Sequence, residues 1–502
     1  MTEQRRTDSV SNLPLCVDMD GTLIRTDSLV ESFFSMVARA PWLAFVVPLW
    51  LLQGKAHLKR KIASESRLNP AALPYNTTLL DFLRSEKSAG RKLVLATAAD
   101  ESIARAVAGH LALFDQVLSS DGSVNLRGKH KLAKLTELFG EKGFEYAADS
   151  HDDIDVFAGA AGCILVNPER GLSKKISSAR FNLLKTLDDR FKSETLSKGN
   201  PREMLKNLYR NTRPGAWIRQ LRLHHWIKNS FVFAPLIFSG KLTDVPTFLR
   251  TFEFFVAFGL ISSGVYVFND ILDLEKDRMH PTKSRRPLAS GQISVAAAAI
   301  VGTIMALTGL GYSIVEDLRF TGVLTAYIAN NVLYSYLFKY KVLTDALSIS
   351  IGFMLRFFAG GFAAEVELSR WLLVCGFSLT LFLGFGKRRT EIELLKKGLK
   401  SENIRPVLEI YSPEKLTATL STVNAMCLIS YIMYVTDLET IQKHHTKGLI
   451  FTVPIVTYGL FRYMYKTLEG KGDGPVDIIF TDKAFLLAIF AWVSCVLFIL
   501  YL

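Results

Sequence analysis

Three aspartates at helical spacing form the most specific chemical pattern in the sequence. Asp270, Asp273 and Asp277 stand in the segment NDILDLEKDRMHPTKSRRP, directly after the apolar stretch 247–268. Residues three and four positions apart share one face of a helix, and carboxylates that close repel one another unless cations lie among them. Mg²⁺ commonly binds a few carboxylates together with substrate phosphate oxygens. The spacing therefore predicts a site for Mg²⁺ and a diphosphate.

Basic and polar side chains near this pattern are candidates for binding the phosphates. Arg278, Lys283 and Arg286 follow the aspartates and could each pair with a phosphate oxygen. A charged loop that only marks the end of a membrane span is the alternative, but such loops are usually basic throughout. Further candidates from the same part of the chain are Asn269, Lys228, Lys387, Arg388 and Glu391, with Tyr334 and Lys339 as weaker members.

Arg356 is a candidate of a different kind, because it interrupts the apolar stretch 343–363. An ionisable side chain at membrane depth is costly and commonly has a function. Two interpretations remain open, which are a contact with a substrate phosphate and a structural ion pair.

A second pattern, near the N-terminus, is typical of phosphoryl transfer. Asp18 and Asp20 stand in CVDMDGT, after an apolar stretch of strand length. One carboxylate can attack phosphorus, and a second, two residues on, can protonate the leaving oxygen. Gly21 permits a tight turn whose backbone N–H groups can reach a phosphate.

Four more residues at predicted strand ends fit the same chemistry. Thr97 offers a hydroxyl group to phosphate, and Lys131, with Lys129 as its rival, offers a positive charge. Asp149 and Asp153 offer oxygen ligands for Mg²⁺. Because ligands bind at the carboxyl ends of parallel strands, these side chains are expected to lie near Asp18.

The elements that position this second pattern alternate between strand and helix. Up to residue 170, short apolar runs separated by helical patterns predict a parallel α/β sheet. Residues 28–75 are predicted to form a cap, and its segment 40–61 is too short in its apolar part to span a bilayer. This segment could rest on the membrane or be a plain buried helix. Residues 171–225 are predicted to be a basic connector, either with surface helices or as a solvated linker.

The aspartate pattern lies in a part of the chain that predicts a membrane bundle. Residues 226–502 contain about nine apolar segments, and several are long enough to cross hydrocarbon. Alternate connections are rich in Lys and Arg, which predicts that these connections and the N-terminal domain lie on the cytoplasmic side of a bacterial-type inner membrane. The segments are 229–240, 247–268, 292–314, 318–338, 343–363, 370–386, 418–436, 448–465 and 483–502.

Composition excludes several other classes of protein. The chain has 502 residues, a net charge of +13 and 49% hydrophobic residues, so it has ample apolar surface to fold and is not mainly disordered. Its five cysteines are scattered, with no CxxC pair, which excludes a disulfide scaffold and a cysteine metal site. The basic residues border apolar segments instead of forming an aromatic-studded face, so no nucleic-acid partner is expected. The oligomeric state stays open.

The N-terminal pattern resembles the haloacid-dehalogenase-like (HAD-like) phosphohydrolase superfamily over roughly residues 12–170. The resemblance implies that Asp18 is the nucleophile, that Asp20 is the acid/base, and that Thr97 and Lys131 bind phosphate. It also assigns Asp18, Asp20, Asp149 and Asp153 to a Mg²⁺ site. One departure is Ala148, where that superfamily usually has glycine before the aspartate.

The pattern NDxxDxxxD resembles the UbiA-type intramembrane prenyltransferase superfamily over residues 220–502. The segments LHHWIKN, DRxHPxKxxRPLASG and GKRRTEIELL are similar to its decaprenyl-phosphate phosphoribosyltransferase branch. That branch implies Mg²⁺, 5-phosphoribosyl 1-diphosphate as donor and a polyprenyl phosphate as acceptor. The fused phosphatase would then remove the 5-phosphate of the product, giving a precursor of arabinose donors.

Two alternatives belong to other functional classes. The first is a conventional prenyltransferase that moves a prenyl group from a polyprenyl diphosphate to an aromatic or other small acceptor. The second is a membrane scaffold with a degenerate phosphatase module, for which Ala148 is the main argument. The intact aspartate pattern argues against the scaffold in the membrane part.

Overall fold

The structure is a computed structural model that describes residues 13–121, 124–188, 213–396, 411–470, 478 and 481–501. The chain packs into two compact units. The α/β unit comprises Met1–Leu221 and Val267–Val301, and the helical unit comprises Arg222–Tyr266 and Gly302–Leu502. The three aspartates of the first pattern therefore pack with the α/β unit, although the sequence analysis placed them in a domain that begins at residue 226.

A parallel sheet forms the centre of the α/β unit, as the sequence predicted. Its strands are β1 (Leu15–Val17), β2 (Leu93–Asp100), β3 (Gln116–Ser120), β4 (Glu145–Ala148), β5 (Gly162–Val166) and β6 (Leu183–Leu187). They pair in the order β3-β2-β1-β4-β5-β6, with every pairing parallel. β1, β4 and β5 are buried along their whole length, as expected for a sheet with both faces covered. The sheet extends past residue 170, because β6 lies inside the range predicted as connector.

Helices connect the strands and cover the sheet. They are α1 (Ser28–Arg39), α2 (Val47–Leu52), α3 (Lys55–Glu65), α4 (Thr77–Ser88), α5 (Glu101–Leu111), α6 (Lys129–Phe139), α7 (Ile154–Gly159), α8 (Leu172–Ser178) and α9 (Arg213–Gln220). Asp27 caps α1 by accepting a hydrogen bond from the backbone N–H of Val30, which satisfies a donor at the helix start. The predicted cap range thus holds α1 to α3, with a 3₁₀ helix at Pro41–Phe45 between α1 and α2.

The rest of the described chain is helical. A 3₁₀ helix at Leu223–Phe233 is followed by α10 (Ala234–Phe238), α11 (Val245–Leu272), α12 (Leu274–Met279), α13 (Val295–Glu316), α14 (Leu318–Tyr336), α15 (Thr344–Ala364), α16 (Arg370–Lys396), α17 (Pro413–Thr436), α18 (Leu438–His444), α19 (Val453–Leu468) and α20 (Lys483–Tyr501). Among the described residues, six of these helices are long and apolar enough to cross a membrane, namely α11, α13, α15, α16, α17 and α20.

The sequence predicted about nine spans, and the three remaining segments are also helical. Segment 229–240 coincides with the 3₁₀ helix and the short α10, and segment 448–465 coincides with α19, which has 16 residues. Segment 318–338 coincides with α14, whose 19 residues include Arg319 and two asparagines. Shortness or polarity therefore separates these three from the other six.

Close packing around α15 positions the buried arginine of the helical unit. A Cβ on Gly360 would lie 2.0 Å from the carbonyl oxygen of Val232, so the glycine allows α15 to pack directly against the 3₁₀ helix. Arg356, one turn earlier on α15, is buried. The small residue thus brings the 3₁₀ helix next to the arginine.

Candidate active sites

Asp18 follows β1 directly, so a central strand of the sheet delivers its carboxylate to the carboxyl edge. Its backbone N–H donates a hydrogen bond to the carbonyl oxygen of Ala147 in β4 (2.9 Å). Gly21 has a φ of +77°, and a Cβ there would lie 2.3 Å from Asp149 Oδ2. Glycine is therefore required for this turn to approach Asp149.

Lys131 connects three side chains at this edge of the sheet. Its Nζ donates to Asp18 Oδ1 (2.9 Å), Asp153 Oδ1 (3.0 Å) and the Tyr146 hydroxyl group (2.7 Å). Burial alone would lower the pKa of the Lys131 ammonium group, but the charges of Asp18 and Asp153 outweigh burial and raise it. Lys129 is exposed at the start of α6, so the structure favours Lys131 over its rival.

Asp149 follows β4 and faces the same edge. The Thr22 hydroxyl group donates to Asp149 Oδ1 (2.8 Å). Burial, reinforced by the negative charge of Asp18, raises the pKa of Asp149 to about 8. Ala148 is fully buried in the core, so the fold accommodates its methyl group while Asp149 still reaches the cluster.

Asp20 is held by the first residue of α1. The backbone N–H and the hydroxyl group of Ser28 donate to its two carboxylate oxygens (2.8 and 3.1 Å). Burial, followed by the charge of Asp27, raises the pKa of Asp20 to about 7. The start of α1 therefore fixes the orientation of the predicted acid/base.

Thr97 is fully buried within β2 rather than at its end, because β2 continues to Asp100. Its hydroxyl oxygen accepts a hydrogen bond from the backbone N–H of Ala99 (3.1 Å). The pairing of β2 with β3 shifts register between Ala96 and Asp100, and such irregularities often reorient side chains beside active sites. The structure thus places Thr97 beside this irregularity of β2, and its contact with phosphate stays a prediction.

The carboxylates of this site fit a divalent cation. Asp18, Asp149 and Asp153 each offer one oxygen, and these oxygens lie within 4.8 Å of one another. Over the ranges that the structure describes, no other group of three or more His, Cys, Asp or Glu side chains converges in this way. Carboxylate oxygens are ligands that Mg²⁺ prefers.

The aspartates of the first pattern lie where one helix ends and another begins. α11 ends at Leu272 and α12 begins at Leu274, with Asp273 between them. The backbone N–H of Asp273 donates to Asn269 (3.0 Å), and that of Asp277 donates to Asp273 (2.9 Å). These backbone hydrogen bonds keep the i to i−4 pattern through the interruption, and a shared site for all three aspartates stays a prediction.

Two of the three aspartates converge on Arg286. Its Nη1 donates to Asp270 Oδ1 (3.1 Å) and to Asp277 Oδ2. Gln220 Nε2 donates to the other oxygen of Asp270 (2.9 Å), and Lys283 Nζ lies 3.8 Å from Asp277 Oδ1. Because both buried carboxylates contact one cationic nitrogen, they are close enough to share a cation, which fits a metal–diphosphate complex.

Arg278 has a different environment from the one that the sequence predicted. Its Nη1 and Nη2 donate to the two oxygens of Glu31 in α1 (3.1 and 2.6 Å), and its Nε donates to the carbonyl oxygen of Ala289 (3.2 Å). The Thr26 hydroxyl group also donates to Glu31 (2.7 Å). Arg278 and Glu31 are both more than nine-tenths buried. Arg278 is therefore ion-paired with Glu31 in the structure, and its predicted phosphate contact stays a prediction.

In the helical unit, Arg356 is buried without a carboxylate partner among the described residues. It donates to Asn229 Oδ1 (2.7 Å), to the Gly352 carbonyl oxygen (2.7 Å) and to the Tyr327 hydroxyl group (3.2 Å). The rings of Phe258 and Tyr327 lie 4.7 and 4.8 Å from its guanidinium carbon. Neutral groups therefore solvate this cation. Among the described residues Arg356 forms no ion pair, so the interpretation as a structural ion pair is not supported.

Arg388 is fully buried and ion-paired. It contacts Asp345, which is also fully buried, and Glu391 (2.7 Å). The Tyr411 hydroxyl group donates to the other oxygen of Asp345 (2.9 Å), and Arg388 Nη2 lies 3.5 Å from the Tyr334 hydroxyl group. Two carboxylates compensate the charge of Arg388, so the described contacts place it, with Glu391, in a structural ion-pair network.

The remaining predicted phosphate ligands in the helical unit are lysines. Lys228 and Lys387 both lie within electrostatic reach of His225, and both are half-buried. Both lysines are therefore placed on the side of His225, and their phosphate contacts stay predictions. The Nζ of Lys339, a weaker candidate, lies 5.5 Å from the centroid of the Tyr340 ring.

Several residues of these sites carry no signal that identifies them in the sequence. Tyr146 stands inside a buried strand, and Gln220 stands in a segment without a chemical pattern. Asn229 ends the segment LHHWIKN, but nothing in that segment marks the asparagine as the partner of Arg356. Glu31 is one of many helix glutamates. Asp345, at the start of an apolar stretch, is the exception, because an acidic residue next to hydrocarbon commonly has a partner.

Comparisons with known proteins identify the class to which the helical part belongs. The UbiA prenyltransferase family matches residues 231–476. The decaprenyl-phosphate phosphoribosyltransferase of Corynebacterium glutamicum is 32% identical over 291 residues, which cover 57% of this chain and 86% of that protein. This chain therefore belongs to the UbiA prenyltransferase family, and it is a multi-pass membrane protein.

A second relative covers both parts of the chain. The uncharacterized protein y4nM of Sinorhizobium fredii is 33% identical over 479 residues, which cover 94% of this chain and 88% of that protein. For the N-terminal region, a HAD family hydrolase from Salmonella enterica is similar in structure, with 15% identity, a TM-score of 0.26, and coverage of 34% of this chain and 68% of that chain. The chain combines an α/β unit, which has a six-stranded parallel sheet, with a UbiA-type helical part.

Proposed function

We propose that this protein transfers 5-phosphoribose from 5-phosphoribosyl 1-diphosphate to a polyprenyl phosphate. The observation that carries the proposal is the convergence of Asp270 and Asp277 on one cationic position, with Arg286 between them. A pair of buried carboxylates that shares a cation suits a donor that brings a metal-bound diphosphate. The similarity to a decaprenyl-phosphate phosphoribosyltransferase supports this donor and acceptor.

In the proposed reaction, an oxygen of the lipid phosphate attacks C1 of the ribose. The bond between C1 and the diphosphate oxygen breaks, and the diphosphate leaves with the bonding electrons. The step requires no net proton transfer, so positioning and electrostatic stabilisation provide most of the catalysis. Bound Mg²⁺ would supply the positive charge that stabilises the departing diphosphate.

Most of the predicted residues of the membrane part have a role in this proposal. Asp270, Asp273 and Asp277 would hold the metal–diphosphate, and Gln220 orients Asp270 through its hydrogen bond. Arg286 and Lys283 bind phosphate oxygens from their positions beside Asp277. Further phosphate contacts are assigned to Lys228, Lys387 and Arg356, with Asn269 as a polar neighbour of the aspartates.

We further propose that the α/β unit hydrolyses the 5-phosphate of this product. Asp18 attacks phosphorus, Asp20 gives a proton to the leaving ribose oxygen, and water then hydrolyses the aspartyl phosphate. Thr97 and Lys131 hold the transferred phosphate. Asp18, Asp149 and Asp153 would hold Mg²⁺, which would reduce the repulsion between the nucleophile and the phosphate. The support is chemical, because the first reaction makes the phosphomonoester that the second consumes.

The proposed location is a bacterial-type inner membrane, with both sites on the cytoplasmic side. The basic connections between apolar segments support this orientation. A cytoplasmic site would also have access to a soluble sugar diphosphate donor.

A donor assay with purified full-length protein in lipid nanodiscs tests the transferase. With radiolabelled phosphoribosyl diphosphate and polyprenyl phosphate, we expect label in the lipid fraction. Asp270→Asn should reduce transfer by about 100-fold or more, since it removes a charge that the transition state needs. The matched control is Asp81→Asn, whose side chain is 76% exposed, and which should transfer normally.

The same assay separates the proposal from a conventional prenyltransferase. If label moved from a polyprenyl diphosphate to a small aromatic acceptor, and none moved from phosphoribosyl diphosphate, the proposed donor and acceptor would be wrong.

A further inference from the structure

The cap of the α/β unit carries an apolar segment, and none of the residues in its two helices is fully buried. The 3₁₀ helix Pro41–Phe45 and α2 together contain no buried residue, although their sequence, PWLAFVVPLWLL, is entirely apolar. Phe45 is 85% exposed, Leu52 84% and Trp42 65%. Soluble surfaces rarely expose contiguous apolar side chains in this way unless a partner covers them.

The residues that follow this apolar cap segment (residues 41–52) are basic. Lys55, Arg60 and Lys61 of α3 are exposed. An apolar stretch with tryptophans beside exposed cations is the pattern of a segment that lies in the membrane interface, where the rings enter the acyl boundary and the cations contact anionic headgroups. The segment is too short to cross the bilayer, and the chain is anchored in a membrane by its other helices.

The same cap element reaches the catalytic edge of the sheet. Lys59, in α3, donates to the carbonyl oxygen of Ala98 (2.8 Å) and to Asn125 Oδ1 (3.0 Å), and Ala98 adjoins Thr97. Lys59 also lies within electrostatic reach of Asp20. α3 therefore follows the exposed apolar segment directly in the sequence and, through Lys59, contacts the residue next to Thr97.

We propose that the apolar cap segment docks on the surface of the bilayer that holds the protein, and that the α/β unit therefore takes a lipid-linked phosphomonoester as its substrate. The inference deepens the proposed phosphatase function and rests on it for the substrate class. Charge complementarity between the basic residues of α3 and anionic lipid favours the bilayer over a second copy of this chain, which would bring the same positive charge to the interface.

A kinetic comparison of two substrates tests the substrate class. Full-length protein in nanodiscs, with about one anionic lipid in three, would hydrolyse polyprenyl-phosphoryl-5-phosphoribose and, separately, p-nitrophenyl phosphate. Phe45→Ser/Leu52→Ser should lower kcat/KM for the lipid-linked substrate by about tenfold and leave p-nitrophenyl phosphate hydrolysis unchanged, because burial of two such side chains in lipid is lost. The matched control is Val124→Ser/Leu138→Ser, two exposed apolar residues outside the cap, which should change neither.

Equal losses for both substrates, or no loss for either, would overturn the lipid-linked substrate.

A second measurement does not depend on catalysis. Lipids brominated near the headgroup should quench the fluorescence of Trp42, so Trp42→Phe should reduce the quenchable fraction, whereas Trp217→Phe should not. Absence of this difference would overturn the docking itself. If quenching is seen but neither phosphomonoester is hydrolysed, the proposed phosphatase function fails while the docking stands. If Phe45→Ser/Leu52→Ser instead converts a dimer to a monomer, the segment binds a second copy and the proposal is wrong.

Discussion

Lys131 illustrates how a single side chain can organise a group of like charges. It contacts Asp18, Asp153 and Tyr146 at once, while Asp149 approaches the same group and accepts a hydrogen bond from the Thr22 hydroxyl group. Each unpaired buried carboxylate raises the cost of ionising its neighbours. The site is consequently arranged to favour binding of a further cation.

Asp149→Asn tests this arrangement through the pH dependence of stability. Burial raises the pKa of Asp149 to about 8 in the folded protein, above roughly 3.9 in an unfolded chain. Stability from the protonated form is therefore present at low pH and lost as the pH rises through this window. In EDTA, differential scanning calorimetry should show that the unfolding temperature of the variant is a few degrees higher than that of the wild type at pH 8. Near pH 4, the two unfolding temperatures should be equal.

Addition of Mg²⁺ at pH 8 should reverse this order, because the wild type gains a ligand that the variant lacks. Asp81→Asn, at an exposed position, serves as the control and should follow the wild type throughout. A pH-independent difference between Asp149→Asn and the wild type would contradict the burial argument.

Among the secondary-structure elements, α1 connects two chemical groups of the α/β unit. Its first residue, Ser28, holds Asp20, and Glu31, three residues later, holds Arg278 next to Asp277. Because a helix turn is rigid, a displacement of the contact between Ser28 and Asp20 would also displace the contact between Glu31 and Arg278. The buried ion pair between Glu31 and Arg278, which lie 247 positions apart in the sequence, thus fixes the aspartate segment against the cap.

Glu31→Gln should strongly destabilise the α/β unit. Removal of one partner leaves the charge of Arg278 buried and uncompensated, which costs about 3–5 kcal/mol. The measurement is denaturant unfolding of the full-length protein. Glu101→Gln breaks an exposed pair with Arg105 and should cost less than about 1 kcal/mol.

The double variant Glu31→Leu/Arg278→Met provides a further comparison. Apolar replacement of both partners removes the uncompensated charge, so this variant should be more stable than Glu31→Gln. Equal stability of Glu31→Gln and Glu101→Gln would show that the pair contributes little.

For the chain as a whole, fusion of two activities predicts that one can be removed without the other. Asp18→Asn should stop removal of the 5-phosphate while phosphoribosyl transfer continues, because the aspartate segment does not use Asp18. Lipid extracts analysed by mass spectrometry should then contain the 5-phosphate product alone. If the wild type and Asp18→Asn accumulate the same product, the two reactions are not coupled in this protein.

The positions of the main candidate residues of both patterns could be predicted because the information is local. Asp18 and Asp149 come directly after short apolar strands, and such strands place the following residue at the edge of a parallel sheet. Asp270 and Asp277 are a helical repeat apart, and the backbone keeps that repeat even where α11 ends. The predicted α/β sheet and helical membrane part were confirmed for the same reason, since hydrophobic periodicity is a short-range property.

The choice of ionic partners could not be predicted, because it depends on which distant segments pack together. Lys131 and Lys129 are equivalent in the sequence, and only the orientation of α6 buries one of them. Arg278 pairs with Glu31, and Arg388 with Asp345, through contacts that no spacing encodes. The sequence alone thus determined the two candidate patterns and the elements that carry them, whereas the tertiary structure decided which charges compensate one another, since a buried charge is stabilised by whatever neighbour the packing provides.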